Sequence, residues 1–359
     1  MKIERKTWIL LIVIPIVYTL LFGGLFSPNV ITEVPIIICN LDNGFKSQSL
    51  IRDLYDTPEI KVKSIETDFN KPVEIMIQRK ASGVVIIPKD YSEKVNRGES
   101  TSIEVVVNNT NRMIGGTISK AVQSVINTES ANIAVNWRIA SNWNQAQAQS
   151  VQLNLSSRIL YNSTNGYIDF FLAALIIHSV QIAVVFAIAP QIVCQKRLLI
   201  EKTAFKLTTL LIEFSTVVIA VMLICLSIGF SVFGMVCHSD WLNVFLLITA
   251  FIICVVSFAL CIGSWINEEY KVLLSPLVYV MPSILFANVT WSRFSMDNFS
   301  LFLSYIMPIG YAAEDLRCFL VKGTAENWQL HFFILLMMSV FFFIFSILGV
   351  KFNAAKFKT

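Results

Sequence analysis

Four basic side chains fall within the short stretch CQKRLLIEKTAFK, Cys194–Lys206: Lys196, Arg197, Lys202 and Lys206, against the single acid Glu201. They hold no nucleophile and no set of metal ligands, so what they offer is a charged surface. One long apolar run ends just before them and another begins just after. A Lys/Arg excess in so short a loop marks the cytoplasmic side of a membrane. A soluble partner gripping this loop can push on two adjacent membrane helices at once. We therefore take it as the docking point for an energy-supplying subunit that this chain lacks.

Two ionisable residues, His178 and Glu213, lie inside apolar runs. Charges within a bilayer are costly and by default mark function, with a partner close by. A proton-coupled carrier would need both in one polar cavity. The structural alternative is simpler, and we take it for both. Glu213 is about two turns from Lys206 and can pair with it near the interface. His178 can stay neutral, satisfied by a polar group such as Gln181.

Catalytic signatures are absent from the sequence: no G-x-S-x-G, no H-E-x-x-H and no G-x-x-x-x-G-K-[ST] phosphate loop. His178, His238 and His331 are scattered, with no nucleophile beside them. There is no C-x-x-C and no Cys/His metal spacing. The expectation is a non-enzymatic chain with no bound cofactor or metal. Cys194, Cys225, Cys254 and Cys261 sit in or beside apolar runs as small packing residues. Cys39, Cys237 and Cys318 fall on the expected outer side, where a bridge is allowed but not required.

The elements that must position these groups are membrane helices. The chain is 55% hydrophobic and 14% charged, where a soluble domain carries about 25% charged residues. Its mean hydropathy is +0.66. The net charge of +4 is concentrated at run ends and so does not point to nucleic acid. Runs of about 20 apolar residues each predict a polytopic α-helical protein with six transmembrane helices, at Thr7–Ser27, Ile168–Val193, Leu207–Val236, Leu242–Ile266, Val272–Val289 and Leu330–Val350. The first could instead be a signal peptide, but it is longer than such cores and has no A-x-A site. Lys2, Arg5 and Lys6 at one end and Lys351, Lys356 and Lys358 at the other put both termini in the cytoplasm.

Residues 28–167 have a different composition. VPIIICN, IKVKSI, SGVVIIP and IEVVVNN alternate with amphipathic stretches, and a long helix after Gly115-Gly116 continues past Trp143. This predicts an extracytoplasmic α/β domain with mainly parallel strands, inserted between the first and second spans. Residues 168–359 then form a five-helix transmembrane domain. It contains the connector 194–206 and an outer segment, 290–329, whose apolar piece Phe299–Met307 is too short to span and predicts a re-entrant helix.

This layout resembles the type-2 ABC exporter permeases of the multidrug-efflux branch. IIICNLDNGFKSQSLIRDL (Ile36–Leu54) is similar to the family's strand-turn-helix with D-x-S-x-x-S-x-x-L. QRKASGVVIIPKDYSEKVNRGE (Gln78–Glu99) is similar to its I-P-x-x-F-S segment, and VVVNNTNRMIGGTI (Val105–Ile118) to the strand and Asn-rich turn that follow. MPIGYAAEDLRCFLVKG (Met307–Gly323) resembles its P-x-x-Y…R…G stretch, which singles out Pro308, Tyr311 and Arg317. The family's acidic, glycine-containing stretch after the second span is matched here in position. Only Glu201 and Thr203 match its pattern, and no glycine is present. The resemblance adds Gln195 and Thr203 to the contact candidates. It implies a separate ATPase carrying ATP and Mg, a second permease copy or homologue, and a periplasmic adaptor. The implied cargo is a small amphipathic or drug-like compound or a lipid, moved outward across the cell inner membrane. A scaffold or receptor without transport is the other class left open.

Overall fold

The computed structural model describes residues 3–27, 31–67, 72–108, 112–140 and 166–356. Lys2, Trp143, Lys358 and the end of the long polar helix lie outside these residues. The chain divides into two compact units, residues 30–158 and residues 1–29 with 159–359.

In the smaller unit the β-branched runs become β1 (Val34–Asn40), β2 (Ile60–Glu66), β3 (Gly83–Ile87) and β4 (Glu104–Val107). Between and after them lie α2 (Phe45–Tyr55), α3 (Pro72–Arg79), α4 (Tyr91–Arg97) and α5 (Arg112–Ala140). The sheet order is β2-β1-β3-β4. β1 runs parallel to both neighbours, and β4 closes the edge antiparallel to β3. Successive strand residues face opposite sides. Ile36, Ile38, Val85 and Ile87 therefore pack on Leu50, Leu54, Tyr91 and Ile118, while Ile37, Cys39, Val84 and Ile86 pack on Met76. With both faces covered, β3 is buried along its whole length.

The larger unit is a helical bundle. Among the described residues five helices are long and apolar enough to cross a membrane: α1 (Arg5–Leu25), α6 (Ala173–Leu199, entered through a π turn at Ile168–Leu172), α7 (Thr203–Phe233), α8 (Trp241–Trp265) and α13 (Trp328–Lys356). In their most apolar stretches α6 and α8 are 78% and 61% buried, against 22–33% for α1, α7 and α13. The first two are the core, and the others ring it. All seven cysteines are free thiols, with Cys225 and Cys254 buried and Cys194 exposed.

The expected fifth span, Val272–Val289, is not one continuous helix. It is broken into α9 (Glu269–Leu274), α10 (Leu277–Val280) and a 3-10 turn at Pro282–Ile284. Pro276 and Pro282 lack the N–H that would continue the helix, and their rings crowd the carbonyl one turn back. Two further helices, α11 (Asn298–Ile306) and α12 (Ile309–Val321), follow.

Candidate functional site

The helix α6 does not stop where its apolar run stops. It continues through Lys196 and Arg197, and α7 begins at Thr203, so the expected loop shrinks to a turn of Ile200, Glu201 and Lys202. Lys202 takes the left-handed conformation, φ 51°, which reverses the chain in so few residues. The Thr203 hydroxyl donates to the Ile200 carbonyl at 3.0 Å, and the Lys206 ammonium to that of Leu198 at 2.5 Å.

Helical rotation of about 100° per residue separates the charges. Arg197, Glu201 and Lys202 are exposed, Gln195 and Lys206 half-buried, and Thr203 buried. Lys196, expected on the charged surface, is corrected to the interior, with 4% exposure. Its ammonium donates to the Ile266 carbonyl at 2.7 Å and to Asn267 Oδ1 at 2.8 Å. Two apolar side chains take its place outside: Leu198 is 58% exposed and Phe205 71%. The exposed side chains at this end of the bundle are thus Leu198 and Phe205 together with Arg197, Glu201 and Lys202.

The chain's described ends lie at the same end. Thr7 donates to Gln191 Oε1 of α6 at 2.8 Å, and Asn267 to Asn353 Oδ1 of α13 at 3.0 Å. At the other end the chain leaves α1 and re-enters the bundle with the Phe26 and Tyr167 rings stacked at 5.8 Å.

The intramembrane candidates are not brought together. His178 and Gln181 are buried on α6. Gln181 Nε2 donates weakly to Ser283 Oγ in the 3-10 turn, at 3.5 Å. His178 Nδ1 and Gln181 Oε1 make no hydrogen bond among the described residues, so the expected contact between these two side chains is not made. Glu213 is exposed on α7, and the ammonium of Lys206 turns to Leu198 rather than to it. Counting about 1.5 Å per residue from the α6–α7 turn, His178 and Glu213 differ by about 16 Å along the axis. A shared proton cavity would need them side by side.

In the 290–329 segment Pro308 precedes α12 and Tyr311 is buried, its hydroxyl donating to the Tyr305 carbonyl at 2.8 Å. The Arg317 guanidinium lies over the Phe170 ring at 4.9 Å. The organising residue is Arg293. It donates to Ser304 Oγ at 3.0 Å, to Glu314 at 3.2 Å and to the Gly310 carbonyl at 3.2 Å. The same guanidinium lies over the Tyr305 and Tyr311 rings. Asp315 meets His331 Nδ1 at 2.8 Å, joining α12 to α13. No group of three or more metal-ligating side chains occurs among the described residues.

The model of a family described as ABC-2 family transporter protein matches residues 5–350. The chain belongs to that family. No individual curated protein matches it. As an ABC-2 membrane domain it is a multi-pass permease subunit of an ABC transporter, and the family implies an ABC ATPase partner and usually a dimer. In this ABC-2 permease, sequence reasoning missed Leu198 and Phe205, because it reads the connector 194–206 by its charges and not by its apolar residues. It also missed Asn267 and Asn353, which carry no local signal of being partners, and Arg293, whose partners lie 11, 17 and 21 residues away.

Proposed function

We propose that this permease belongs to the multidrug-efflux branch and is the membrane half of an exporter. It carries an amphipathic, drug-like or lipid cargo outward from the cytoplasm or inner leaflet of the cell inner membrane. Its motor is a separate ATPase, which binds ATP and Mg and docks from the cytoplasm on the α6–α7 turn. Both termini share that side, the α/β unit is extracytoplasmic, and a second copy or homologue completes the path. The resemblance adds a periplasmic adaptor to the assembly. The observation that carries the docking reading is the exposure of Leu198 and Phe205 next to Arg197 and Lys202 in the turn that joins two spans. Aromatic side chains and arginine are enriched at protein interfaces relative to the rest of the surface.

The test is co-purification of the ATPase with the permease carrying Phe205→Ala, and with Arg197→Glu/Lys202→Glu. Truncating a central aromatic anchor costs about 2 kcal/mol or more, which is about thirtyfold in affinity. Both variants should lose the ATPase and ATP-driven uptake of an amphipathic dye into inside-out vesicles. Assembly and uptake at native levels in both would overturn the docking site.

A further inference from the structure

The buried lysine at the end of α6 offers a docking partner almost no surface, being 4% exposed. We propose that Lys196 is a positioning residue that joins the ends of α6, α8 and α13 into one lever, transmitting movement of the α6–α7 turn to the broken α9–α10 segment. This rests on the reading that the ATPase acts at that turn.

Lysine is almost never fully buried unless it is paired. Among the described residues no carboxylate forms a salt bridge with Lys196. Its ammonium instead sits on the Ile266 carbonyl, one residue past α8, where the helix dipole favours a cation. Its second acceptor, Asn267 Oδ1, belongs to a side chain that passes the connection on. Asn267 Nδ2 donates to Asn353 Oδ1 of α13 at 3.0 Å. Asn353, itself 3% exposed, donates back to the Ser264 carbonyl of α8 at 2.9 Å and to that of Gly349 at 3.1 Å. One relay thus touches three helices.

Packing at the same level leaves no slack. A Cβ on Gly263 would meet the Ala189 carbonyl oxygen at 2.6 Å and Ile192 Cβ at 2.7 Å, so α8 lies directly against α6. A Cβ on Gly349 would meet Trp265 Nε1 at 2.8 Å and Ser264 Cβ at 3.0 Å, so the end of α8 packs directly on α13. The Trp265 indole N–H also donates to the Phe345 carbonyl at 3.0 Å. Close-packed contacts of this kind transmit displacement rather than absorb it.

The two ends of the relay are placed to receive and deliver that displacement. Lys196 is four residues before Ile200, the first residue of the turn, and Asn267 is two residues before α9. Beyond α9 the backbone is interrupted at Ser275–Pro276 and again at Met281–Pro282. Pairs of packed elements joined at such breaks move as rigid bodies about them.

The experiment uses the full chain with its ATPase in proteoliposomes, measuring ATPase binding, ATP hydrolysis and amphipathic dye translocated per ATP. Lys196→Met and Asn353→Leu should keep ATPase binding while dye moved per ATP falls about tenfold, within the range of allosteric couplings. Lys196→Arg, which can still donate to both acceptors, should restore most of it. Native dye-per-ATP ratios in Lys196→Met and Asn353→Leu would overturn the lever. So would a loss that follows lost ATPase binding, which would make Lys196 part of the docking surface. If Lys196→Met does not accumulate, Asn353→Leu decides alone, since it cuts the relay without stranding a charge. Failure of the native chain to bind any ATPase would instead remove the reading beneath, a result distinct from an intact complex with unaltered coupling.

Discussion

Replacing Asp42 by alanine should loosen the junction between two βα turns of the α/β unit. Asp42 follows β1 and Ser92 opens α4 after β3, so the two meet at the carboxyl ends of neighbouring parallel strands, where the strand order switches direction. Asp42 is buried, 7% exposed. Its carboxylate accepts the Ser92 hydroxyl at 2.5 Å and the Gly44 N–H at 3.1 Å. The Ser92 oxygen in turn accepts the Ser47 N–H at 3.3 Å. Gly44 leaves no room for adjustment, since a Cβ there would fall on the Ser92 side chain.

Hydrogen bonds to a charged group contribute about 1.5–3 kcal/mol each, so two set a ceiling of about 6 kcal/mol. Gly44 is half-buried and water can reach its N–H once the carboxylate is gone, which lowers the expected loss to about 2–4 kcal/mol. That is a large part of the roughly 5–15 kcal/mol that holds a domain, yet not all of it, so the unit still folds. Hydrogen exchange on the full-length chain reads the effect directly. The Gly44 and Ser47 amides should exchange about 30- to 1,000-fold faster in Asp42→Ala. With Ser92→Ala, a double-mutant cycle should give a coupling of about 1.5–3 kcal/mol. Exchange within about twofold of native, or a coupling below about 0.5 kcal/mol, would refute the assignment of this bond as the junction's main tie.

Other expectations are as direct. Gly263→Val should lower the melting temperature in detergent, because overpacking costs about 1–3 kcal/mol, whereas Gly24→Ala, with nothing within 4 Å of its Cβ, should not; equal melting of the two variants would count against the close α6–α8 approach. Arg293→Lys cannot reproduce the guanidinium fork, so residues 290–308 should become more sensitive to protease; native resistance would contradict the role given to Arg293. Burial, with Glu129, Asp42 and Asp53 adding to it, pushes the Tyr91 hydroxyl up to about 12. An unfolded tyrosine ionises near 10, so this contribution is whole below about pH 10 and lost as pH rises towards 12. Tyr91→Phe should flatten that part of the alkaline unfolding curve, and an unchanged slope would deny the shift.

What could be seen in the sequence follows from which forces act locally. β1 coincides with VPIIICN, and β3 and β4 fall inside their expected runs, because β-branched runs bounded by turn residues specify strands without help from the rest of the chain. Strand order and the antiparallel β4 are set by which helix covers which face, and no single segment encodes that. Helix ends were misjudged for a related reason. Polarity marks where the bilayer ends, while a helix ends where its backbone is capped, so α6 runs on to Leu199, past the expected Val193. Pro276 and Pro282 were visible as interruptions. Whether a proline kinks a helix or breaks it depends on the packing around the freed carbonyls, and here the chain turns after Pro282, where the Ser283 and Thr290 hydroxyls donate to the carbonyls of Val280, Ile284 and Leu285.

The basic connector shows how a charge count and a geometry can answer different questions about the same residues. Summed over the loop, Lys196, Arg197, Lys202 and Lys206 argue for one side of a membrane, and that argument is indifferent to where each side chain points. In the fold they separate. Lys196 turns inward to the end of α8, Lys206 folds back on Leu198, and Arg197 and Lys202 stay outside with Phe205. A combined reversal at Lys196 and Arg197 would therefore damage frame and surface at once, and its loss of activity would identify neither. Separate substitutions make the difference measurable: outward residues should govern whether the ATPase binds, and the inward lysine what its binding accomplishes.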